Sequence, residues 1–386
     1  MIVGIVGAGT MGAGIAQVCL VAGHTVRLYD ASPEATEAGR GRIEAGLGRL
    51  VAKGKLEPMA HTAASDRLSM AADLIDVGAG ADIVIEAAIE ELVAKQAIFA
   101  DLDRAASEAT LLATNTSALS VTAIAESTTH PGRVLGLHFF NPAPLMRLVE
   151  VVAGRRTQGS TVDAALAFAE GLGKDPIVCQ DAPGFIVNRV NRPFTLEALR
   201  MLEAGEADVA AIDSALVTAG YPMGPFALID LVGLDVNLAV ARTLYEGFDE
   251  AERFRPSPLQ IRMVEAGALG RKTGQGFYRY DDVGGLLEPV PRPTDPPGSP
   301  LLDAQTILAR IELAIINEAY RAAGEGIASP PDIDLALVLG AGHPVGPFAR
   351  ARALGLGQVV ASLREFERQH GERYRVAQTL WQVASI

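Results

Sequence analysis

Short apolar runs alternate with stretches of helical periodicity over roughly the first half of the chain. The runs within residues 1–182 are IVGIV, TVRLYD, DIVIEA, LLAT, VLGLHFF and LVEVV. Strands that alternate with helices are typical of a parallel sheet with helices on both faces. The pattern therefore predicts an α/β domain with a doubly wound sheet over residues 1–182.

Apolar residues three and four positions apart dominate the second half and indicate helices. We expect an all-α domain over 183–285, a linker rich in proline and glycine over 286–300, and a further all-α domain over 301–386. The segment TAGYPMGPFALIDLVGL at 218–234 recurs as GAGHPVGPFARARALGL at 340–356. This repeat, with a period of about 121 residues, predicts that the last domain is a degenerate second copy of the first helical domain.

Composition narrows the class of protein. Of the 386 residues, 49% are hydrophobic and 20% are charged, which suits a protein of two or three domains. No apolar run reaches the roughly 18 residues that a membrane span needs, and the net charge of -13 disfavours nucleic-acid binding. The chain starts directly with a strand, and neither the histidines nor Cys19 and Cys179 have metal or redox spacing. We therefore expect a cytoplasmic protein without disulfides or a metal site.

A glycine-rich segment, IVGIVGAGTMGAGIA, stands where the first strand passes into a helix. Gly7, Gly9 and Gly12 permit a tight turn, let the backbone approach a pyrophosphate, and direct the helix N-terminus at its charge. The next strand ends in Asp30, at the distance where an acid can bind a ribose 2′-hydroxyl and repel a 2′-phosphate. The segment predicts an NAD site in a Rossmann-type domain. The alternative is a glycine-rich turn beside a solvated aspartate.

A histidine and a glutamate occupy two apolar runs of LGLHFFNPAPLMRLVEVV, at 135–152. If the chain turns back at NPAP, a pairing centred on Pro144 sets His138 opposite Glu150. Directly opposed residues have β-carbons about 5 Å apart, close enough for their side chains to form a hydrogen bond. Glu150 would then fix the imidazole tautomer and stabilise the imidazolium, so we interpret His138 as a general base. A structural histidine is the alternative.

Six motifs follow one another along the chain: GAGTMGAGIAQV, TNTSAL, GLHFFNPAPLMRLVEVV, DAPGFIVNRV, AGYPMGPFALIDLVGLD and GRKTGQGFYRY. In this order and spacing the chain resembles the L-3-hydroxyacyl-CoA dehydrogenase family, including its 3-hydroxybutyryl-CoA dehydrogenases. The resemblance covers residues 1–282 almost continuously, and the tail repeats the family's C-terminal domain. It implies reversible oxidation of an (S)-3-hydroxyacyl-CoA to the 3-ketoacyl-CoA, with NAD as the cofactor.

The resemblance implies a role for four residues in the reaction. His138 corresponds to the family's general base, which takes the proton of the 3-hydroxyl, and Glu150 corresponds to its paired acid. Ser117, in TNTS, corresponds to a serine that hydrogen-bonds the substrate oxygen, and is otherwise an ordinary turn or helix-cap serine. Asn188, in GFIVNR, corresponds to an asparagine that completes the active site from the helical domain, and otherwise forms a structural hydrogen bond.

The resemblance also implies which residues hold NAD and coenzyme A. Lys53 corresponds to a lysine that binds coenzyme A, with Arg49 and Lys55 as added positive charge, whereas Gly46 replaces a serine that contacts coenzyme A in the family. Only five of the 33 basic residues are lysines, and three of these fall on family binding positions. The NAD contacts fall on Gly7, Ala8, Gly9, Thr10, Met11, Gly12, Asp30, Glu90, Lys95, Asn141 and Lys272.

Two other functions stay open at this point. A dehydrogenase of a free hydroxy acid or sugar acid, similar to the gulonate dehydrogenases, would share much of the His, Glu and Ser set. Lys53 and its surroundings distinguish that enzyme from one that acts on acyl-CoA. A catalytically silent NAD-binding protein is the other possibility, although every expected catalytic position is filled.

The second helical copy is expected to have no chemistry of its own. Asn188 falls on Ala309 or Arg310 in that copy, no GRKTG segment follows, and His343 replaces Tyr221 as a structural residue. In family members with one helical domain, that domain forms the dimer interface, which a fused copy could cover. We therefore expect an acyl-CoA as the binding partner and a monomer, or a homodimer built through another surface.

Overall fold

Residues 1–290 and 302–385 are described by the computed structural model. Contacts divide the chain into two units, Met1–Phe185 and Ile186–Ile386, so the first unit ends close to the predicted boundary at 182. Most of the predicted linker lies outside the described residues.

The first unit is built on an eight-stranded sheet. Its strands lie in the order β3-β2-β1-β4-β5-β6-β7-β8, and β1 to β6 are parallel to their neighbours among these six. β7 runs antiparallel to β6 and parallel to β8. The strands are β1 (Ile2–Val6), β2 (Thr25–Tyr29), β3 (Leu68–Met70), β4 (Ile83–Glu86), β5 (Leu111–Thr114), β6 (Val134–Phe139), β7 (Leu148–Ala153) and β8 (Asp175–Gln180). The helices are α1 (Thr10–Val21), α2 (Pro33–Ala52), α3 (Pro58–Asp66), α4 (Leu74–Gly78), α5 (Leu92–Ala105), α6 (Val121–Ala125) and α7 (Gly159–Gly171).

Both faces of this sheet are buried. Alternate residues of a strand point to opposite faces, so Ile83 and Ile85 pack with residues of α1, α2 and α7, whereas Val84 packs with residues of α4, α5 and α6. The strand order reverses between β1 and β4, next to the turn that carries the glycines. The predicted doubly wound α/β fold is confirmed.

The sequence pattern did not predict two strands of the sheet, β3 and β8. β3 has three residues, too few for an alternation of apolar and polar positions to be visible. β8 contains Pro176 as its second residue and lies at the edge of the sheet, where a proline is tolerated because one side of the strand has no ladder to complete.

The second unit contains two sets of helices that follow the predicted repeat. The first set is α8 (Val187–Val190), α9 (Arg192–Glu203), α10 (Val209–Thr218), α11 (Pro225–Val232), α12 (Leu234–Gly247) and α13 (Pro258–Glu265). The second set is α14 (Ala304–Gly324), α15 (Pro330–Ala341), α16 (Pro347–Leu354), α17 (Leu356–His370) and α18 (Gln378–Ala384). Asp213 accepts the backbone N–H groups at the start of α11, and Asp334 does the same at the start of α16, so the two sets share the same local construction.

The predicted linker over 286–300 is wrong at its start. The residues Leu286–Pro289 form a strand, β10, that pairs antiparallel with β9 (Tyr278–Tyr280). Asp281 explains the hairpin, because its Oδ1 accepts the backbone N–H groups of Val283 and Gly285 and so closes the turn between the strands.

Candidate active site

The glycine-rich turn joins β1 to α1 and owes its shape to three glycines with different roles. Gly7 has a φ of 98°, and a β-carbon there would lie 2.5 Å from the carbonyl oxygen of Ala87. A β-carbon at Gly12 would lie 1.8 Å from the carbonyl oxygen of Gly7. A β-carbon at Gly9 would instead point into open space. Gly7 and Gly12 therefore let the turn pack, while Gly9 keeps the backbone before α1 accessible to a ligand.

Asp30 follows β2 directly and holds the same turn. Its Oδ2 accepts the N–H of Ala8 at 2.8 Å, and its Oδ1 accepts the N–H of Ser32 at 3.1 Å. Each carboxylate oxygen has a second lone pair that a ribose hydroxyl can use. Thr10 and Met11 open α1, whose first turn has no acidic residue to repel a phosphate. The turn, the aspartate and the helix N-terminus together fit NAD.

His138 in β6 lies directly opposite Glu150 in β7, so the predicted register is confirmed. The distance from His138 Nδ1 to Glu150 Oε2 is 2.6 Å. Glu150 is fully buried and His138 is 6% exposed. The hydrogen bond gives the buried carboxylate the partner that it needs. It also assigns Nδ1 to the carboxylate, so Nε2 is the ring nitrogen for proton exchange with a ligand.

Two aromatic rings lie close to the His138 imidazole. The ring centroids of Phe140 and Phe185 lie 4.5 Å and 5.8 Å from that of His138. Phe185 has a φ of 48°, in the left-handed region that a bulky residue rarely adopts and that is often found at functional sites. Asn115 Oδ1 accepts the N–H of Phe139 at 2.8 Å and thereby ties the end of β6 to the loop after β5.

Ser117 lies in the loop after β5, and the structure brings it together with Glu90. Glu90 Oε1 accepts the Ser117 N–H at 2.9 Å, the Ser117 hydroxyl at 3.3 Å and the Thr116 hydroxyl at 2.6 Å. Burial disfavours the ionised form of Glu90, but the hydrogen bond from Thr116 and the charge of Lys95 bring its pKa below the ordinary glutamate value. Glu90 is thus an anion that fixes the position of Ser117.

Lys95 lies between two carboxylates inside the first unit. Its side chain is 1% exposed, and its Nζ lies 2.7 Å from Glu86 Oε1 and 3.3 Å from Glu90 Oε2. Glu86, the last residue of β4, also accepts the Thr114 hydroxyl and the Ala88 N–H, both at 2.7 Å. Glu86 is not among the predicted site residues, although a glutamate in an apolar run, as in DIVIEA, is the kind of signal that pointed to Glu150.

The residues expected to bind coenzyme A lie at the end of α2. Arg49, Lys53 and Lys55 are all exposed there. Gly46 lies on the same helix, and a β-carbon at this position would lie 2.0 Å from Oε1 of Gln17. A side chain at position 46 would therefore require the buried Gln17 amide to move.

Asn141 lies in the loop between β6 and β7, which packs on the helix that follows the glycine turn. A β-carbon at Gly14 of α1 would lie 3.3 Å from the side chains of Ala143 and Pro144. This packing connects the histidine–glutamate strands to the candidate NAD turn within the first unit.

Two further predicted residues belong to the helical unit. Asn188 is the second residue of α8. Lys272 lies in the short turn Arg271–Thr273, and its Nζ lies 2.6 Å from Asp235 Oδ1. The roles of the predicted site residues in both units remain predictions.

A nucleotide-binding turn at the reversal point of a doubly wound sheet, together with a buried histidine–glutamate pair, defines a dehydrogenase that uses NAD. The chain belongs to the 3-hydroxyacyl-CoA dehydrogenase family. The family's NAD binding domain matches residues 2–182, and its C-terminal domain matches residues 184–280 and 307–385. These matches confirm the resemblance, the NAD cofactor and the fold.

Several relatives extend this comparison. The 3-hydroxyadipyl-CoA dehydrogenase of Escherichia coli (strain K12) is 37% identical, and the alignment covers 100% of this chain and 97% of that protein. The crystal structure of 3-hydroxybutyryl-CoA dehydrogenase from Escherichia coli K12 matches with a TM-score of 0.91 and 36% identity, over 100% of this chain and 98% of that one. The mitochondrial hydroxyacyl-coenzyme A dehydrogenase of Sus scrofa is 43% identical over 72% of this chain and 90% of its own.

Other expectations about the chain concern membranes and cysteines. None of the helices within residues 1–290 and 302–385 is long and apolar enough to cross a bilayer. Cys19 and Cys179 are both buried thiols, and burial raises the pKa of Cys19 to about 12. A thiol with so high a pKa is a poor nucleophile and a packing residue.

Proposed function

We propose that the chain reversibly oxidises (S)-3-hydroxyacyl-CoA thioesters to 3-ketoacyl-CoA thioesters with NAD. The observation that carries this proposal is the buried hydrogen bond of 2.6 Å between His138 Nδ1 and Glu150 Oε2. It lies on strands whose connecting loop packs on the helix of the glycine turn. A histidine poised by a carboxylate is the group that removal of a hydroxyl proton requires.

In the oxidation, His138 Nε2 accepts the proton of the 3-hydroxyl while the hydrogen on C3 leaves with its electron pair. NAD, when bound, supplies the acceptor of that hydride. Glu150 stabilises the imidazolium that forms and keeps Nδ1 protonated in the resting state. In the reverse direction His138 returns the proton to the carbonyl oxygen. General acid–base catalysis of this kind contributes roughly 100- to 10,000-fold to the rate.

We infer that Ser117 and Asn188 donate hydrogen bonds to the substrate oxygen, where negative charge develops when the proton leaves. Ser117 is supported by its fixed position, because its backbone N–H donates to the Glu90 carboxylate at 2.9 Å. Its hydroxyl has a single proton, which donates to the same carboxylate at 3.3 Å, so this proton would have to turn to the substrate oxygen when the substrate binds. An amide such as that of Asn188 donates without titrating, so its contribution would persist at any working pH.

We also infer that coenzyme A binds at the cationic end of α2. Arg49, Lys53 and Lys55 are exposed there in a chain whose net charge is -13, so they form a local positive patch on an acidic protein. Lysine binds phosphate groups as a point charge. A free hydroxy acid or sugar acid lacks these phosphates and would give this patch no role.

The identity of the acyl group in the substrate is a more specific part of the proposal. The name of one relative over the whole chain, 3-hydroxyadipyl-CoA dehydrogenase, suggests that this chain acts on a thioester with a terminal carboxylate. The name of the matching structure, 3-hydroxybutyryl-CoA dehydrogenase, suggests a short acyl chain instead. Comparison of kcat/KM for the two thioesters separates these candidates.

We infer a cytoplasmic location as well, which is supported by the two buried thiols and the bacterial relatives.

The test follows NADH consumption with acetoacetyl-CoA and with free acetoacetate. We expect turnover of the thioester alone, a loss of about 100-fold or more in His138→Gln, and a higher KM for the thioester in Lys53→Met. His61→Gln, a histidine on α3 without a proposed role, serves as the control and should behave as wild type. Turnover of free acetoacetate alone would move the chain to the hydroxy-acid dehydrogenases, and NADH binding without turnover of either would favour a silent binding protein.

A further inference from the structure

The short helix α8 carries Asn188 and is held by the second helical copy. Arg189, the next residue, is fully buried. Its Nε lies 2.7 Å from Glu318 Oε1 and its Nη1 lies 2.7 Å from Glu325 Oε2, both residues of the second copy. The Arg189 guanidinium also lies 4.5 Å from the centroid of the Phe248 ring. A guanidinium with two carboxylates and one aromatic ring has little freedom to move.

The residue that follows α8 also contacts the second copy. Asn191 follows α8, and its Oδ1 lies 2.8 Å from Nε2 of His343, which is in the turn between α15 and α16. His343 is buried, and its position corresponds to Tyr221 of the first copy. The second copy therefore contacts two residues that closely follow Asn188 in the sequence, Arg189 within α8 and Asn191 directly after it.

These contacts have reciprocal counterparts. Arg310 lies 121 residues after Arg189 and Glu197 lies 121 residues before Glu318, and these two also form a pair, with 3.6 Å from Arg310 Nη2 to Glu197 Oε2. Both glutamates are 2% exposed and each has a second arginine from the turn before the last helix of a copy: Arg253 for Glu318 and Arg373 for Glu197. Residue i of one copy contacts residue j of the other, and j contacts i, as in a two-fold dimer.

The reciprocity aligns Arg189 with Arg310, so Ala309 is the counterpart of Asn188. The second copy has thus kept the buried charges that bind the two copies and lacks the amide at the position of Asn188. One of the two pairs lies beside a proposed catalytic amide, and the other lies beside a methyl group. Loss of the Arg189–Glu318 pair should therefore affect the reaction, whereas loss of the Arg310–Glu197 pair should not.

We propose that the second helical copy positions Asn188 for catalysis through the Arg189–Glu318 ion pair. The proposal rests on the function proposed above, because it assigns a purpose to the orientation of Asn188. Glu318 is a positioning residue in this scheme, since it acts on the amide through Arg189 and α8. The second copy then serves the reaction without containing any reacting group.

The test compares Glu318→Gln with Glu197→Gln, which remove equivalent buried carboxylates. Both variants should lower the denaturant midpoint, and Glu197→Gln should do so at least as much, because Glu197 also contacts Arg200 and accepts the Tyr374 hydroxyl at 2.6 Å. We expect kcat for acetoacetyl-CoA to fall about tenfold or more in Glu318→Gln alone, since a small displacement of a catalytic group is costly. The KM for NADH should not change in either variant. Equal kcat losses in the two variants would overturn the proposal.

Two additional measurements separate positioning from a general loss of structure. In an Asn188→Ala background, Glu318→Gln should cause almost no further loss of kcat, because the group that it orients has gone; a persisting loss would contradict the proposal. Hydrogen exchange should rise in peptides that contain α8 for Glu318→Gln, and in peptides around Ala309 for Glu197→Gln. If the wild-type protein had no activity, the proposed function would be wrong. The hydrogen-exchange experiment would still show whether Glu318 holds α8 in place.

Discussion

At the scale of single residues, the buried carboxylates Glu150 and Glu86 of the first unit each have a side-chain partner. A carboxylate buried without a partner is costly, and Glu150 and Glu86 both lie fully buried in strands. Glu150 has His138 at 2.6 Å, and Glu86 has Lys95 at 2.7 Å. The first pair was predictable because NPAP marks the turn between two strands. The second was not, because its lysine lies on a helix, where sequence distance does not reveal which strand end it reaches.

Glu150→Gln should reduce kcat about 100-fold or more while NADH binding is preserved. The neutral amide can keep a hydrogen bond to Nδ1 but cannot stabilise the imidazolium. Steady-state kinetics and NADH fluorescence titration measure the two effects. Glu170→Gln changes an exposed carboxylate on α7 and is the control. A Glu150→Gln enzyme with wild-type kcat would remove the carboxylate from the mechanism.

Gly12→Ala should destabilise the chain by about 1–3 kcal/mol and weaken NADH binding. The added β-carbon would lie 1.8 Å from the carbonyl oxygen of Gly7, so the turn must shift. Gly41→Ala, in α2, has open space around the new methyl and should be neutral or stabilising by up to about 1 kcal/mol. Denaturant unfolding and NADH titration of both variants measure the difference. Equal stability of the two variants would show that the turn accepts a side chain.

At the scale of elements, apolar runs predicted six of the eight strands in the large sheet, and the register of β6 and β7 followed from the loop between them. The strand β3 was missed because it has only three residues, and β10 because it adjoins the segment rich in proline and glycine that predicted a linker. The strand β8 contains a proline near its start, which is unfavourable in most strands. The interior of the candidate site was harder to predict. Glu90 and Ser117 meet only because the loops after β4 and β5 fold together, which no local pattern records.

Lys95→Met should destabilise the first unit by about 3–5 kcal/mol, because Glu86 would be left buried without a cation. A second change, Glu86→Gln, should restore part of the loss, since a neutral amide can still accept the Thr114 hydroxyl. Denaturant midpoints of the single and double variants test the pair. If Lys95 served only to bind NAD, its removal would lower NADH affinity and leave the midpoint unchanged.

The stability of the helical unit should depend on pH through His343. Burial lowers the pKa of His343 to about 4, whereas an unfolded histidine titrates near about 6.5. Between these values the unfolded chain binds a proton that the folded chain does not, so stability falls as the pH falls. From pH ~7 to ~5 the expected loss is about 2 kcal/mol.

Urea midpoints of wild type and His343→Gln at both pH values test this. Burial raises the pKa of Asp213 to about 6, which acts in the opposite direction, but Asp213 is present in both proteins and cancels in the comparison. The variant should lose less stability than wild type on acidification. Equal losses would mean that the imidazole of His343 takes up its proton as readily in the folded chain as in the unfolded one.

At the scale of the whole molecule, the repeat predicted a second helical copy but not how the copies meet. In the sequence, the residues of the reciprocal arginine–glutamate pairs look like ordinary charged residues of amphipathic helices. They are recognisable only in the structure, where Arg189 of α8 and Glu197 of α9 form equivalent contacts with α14. Four buried charges that pair in this way leave little of that surface for another chain, because a third partner would have to displace a buried ion pair.

The chain should therefore be a single copy in solution, or a dimer through a surface other than the one between its helical copies. Arg189, Glu197, Glu318 and Arg310 are each at most 2% exposed, which supports the expectation that the second copy covers the surface used for dimerisation in single-copy family members. Light scattering after size-exclusion chromatography gives the mass, and cross-linking with mass spectrometry locates any interface. A stable dimer whose cross-links join residues 183–285 of two chains would show that the second copy does not replace a partner.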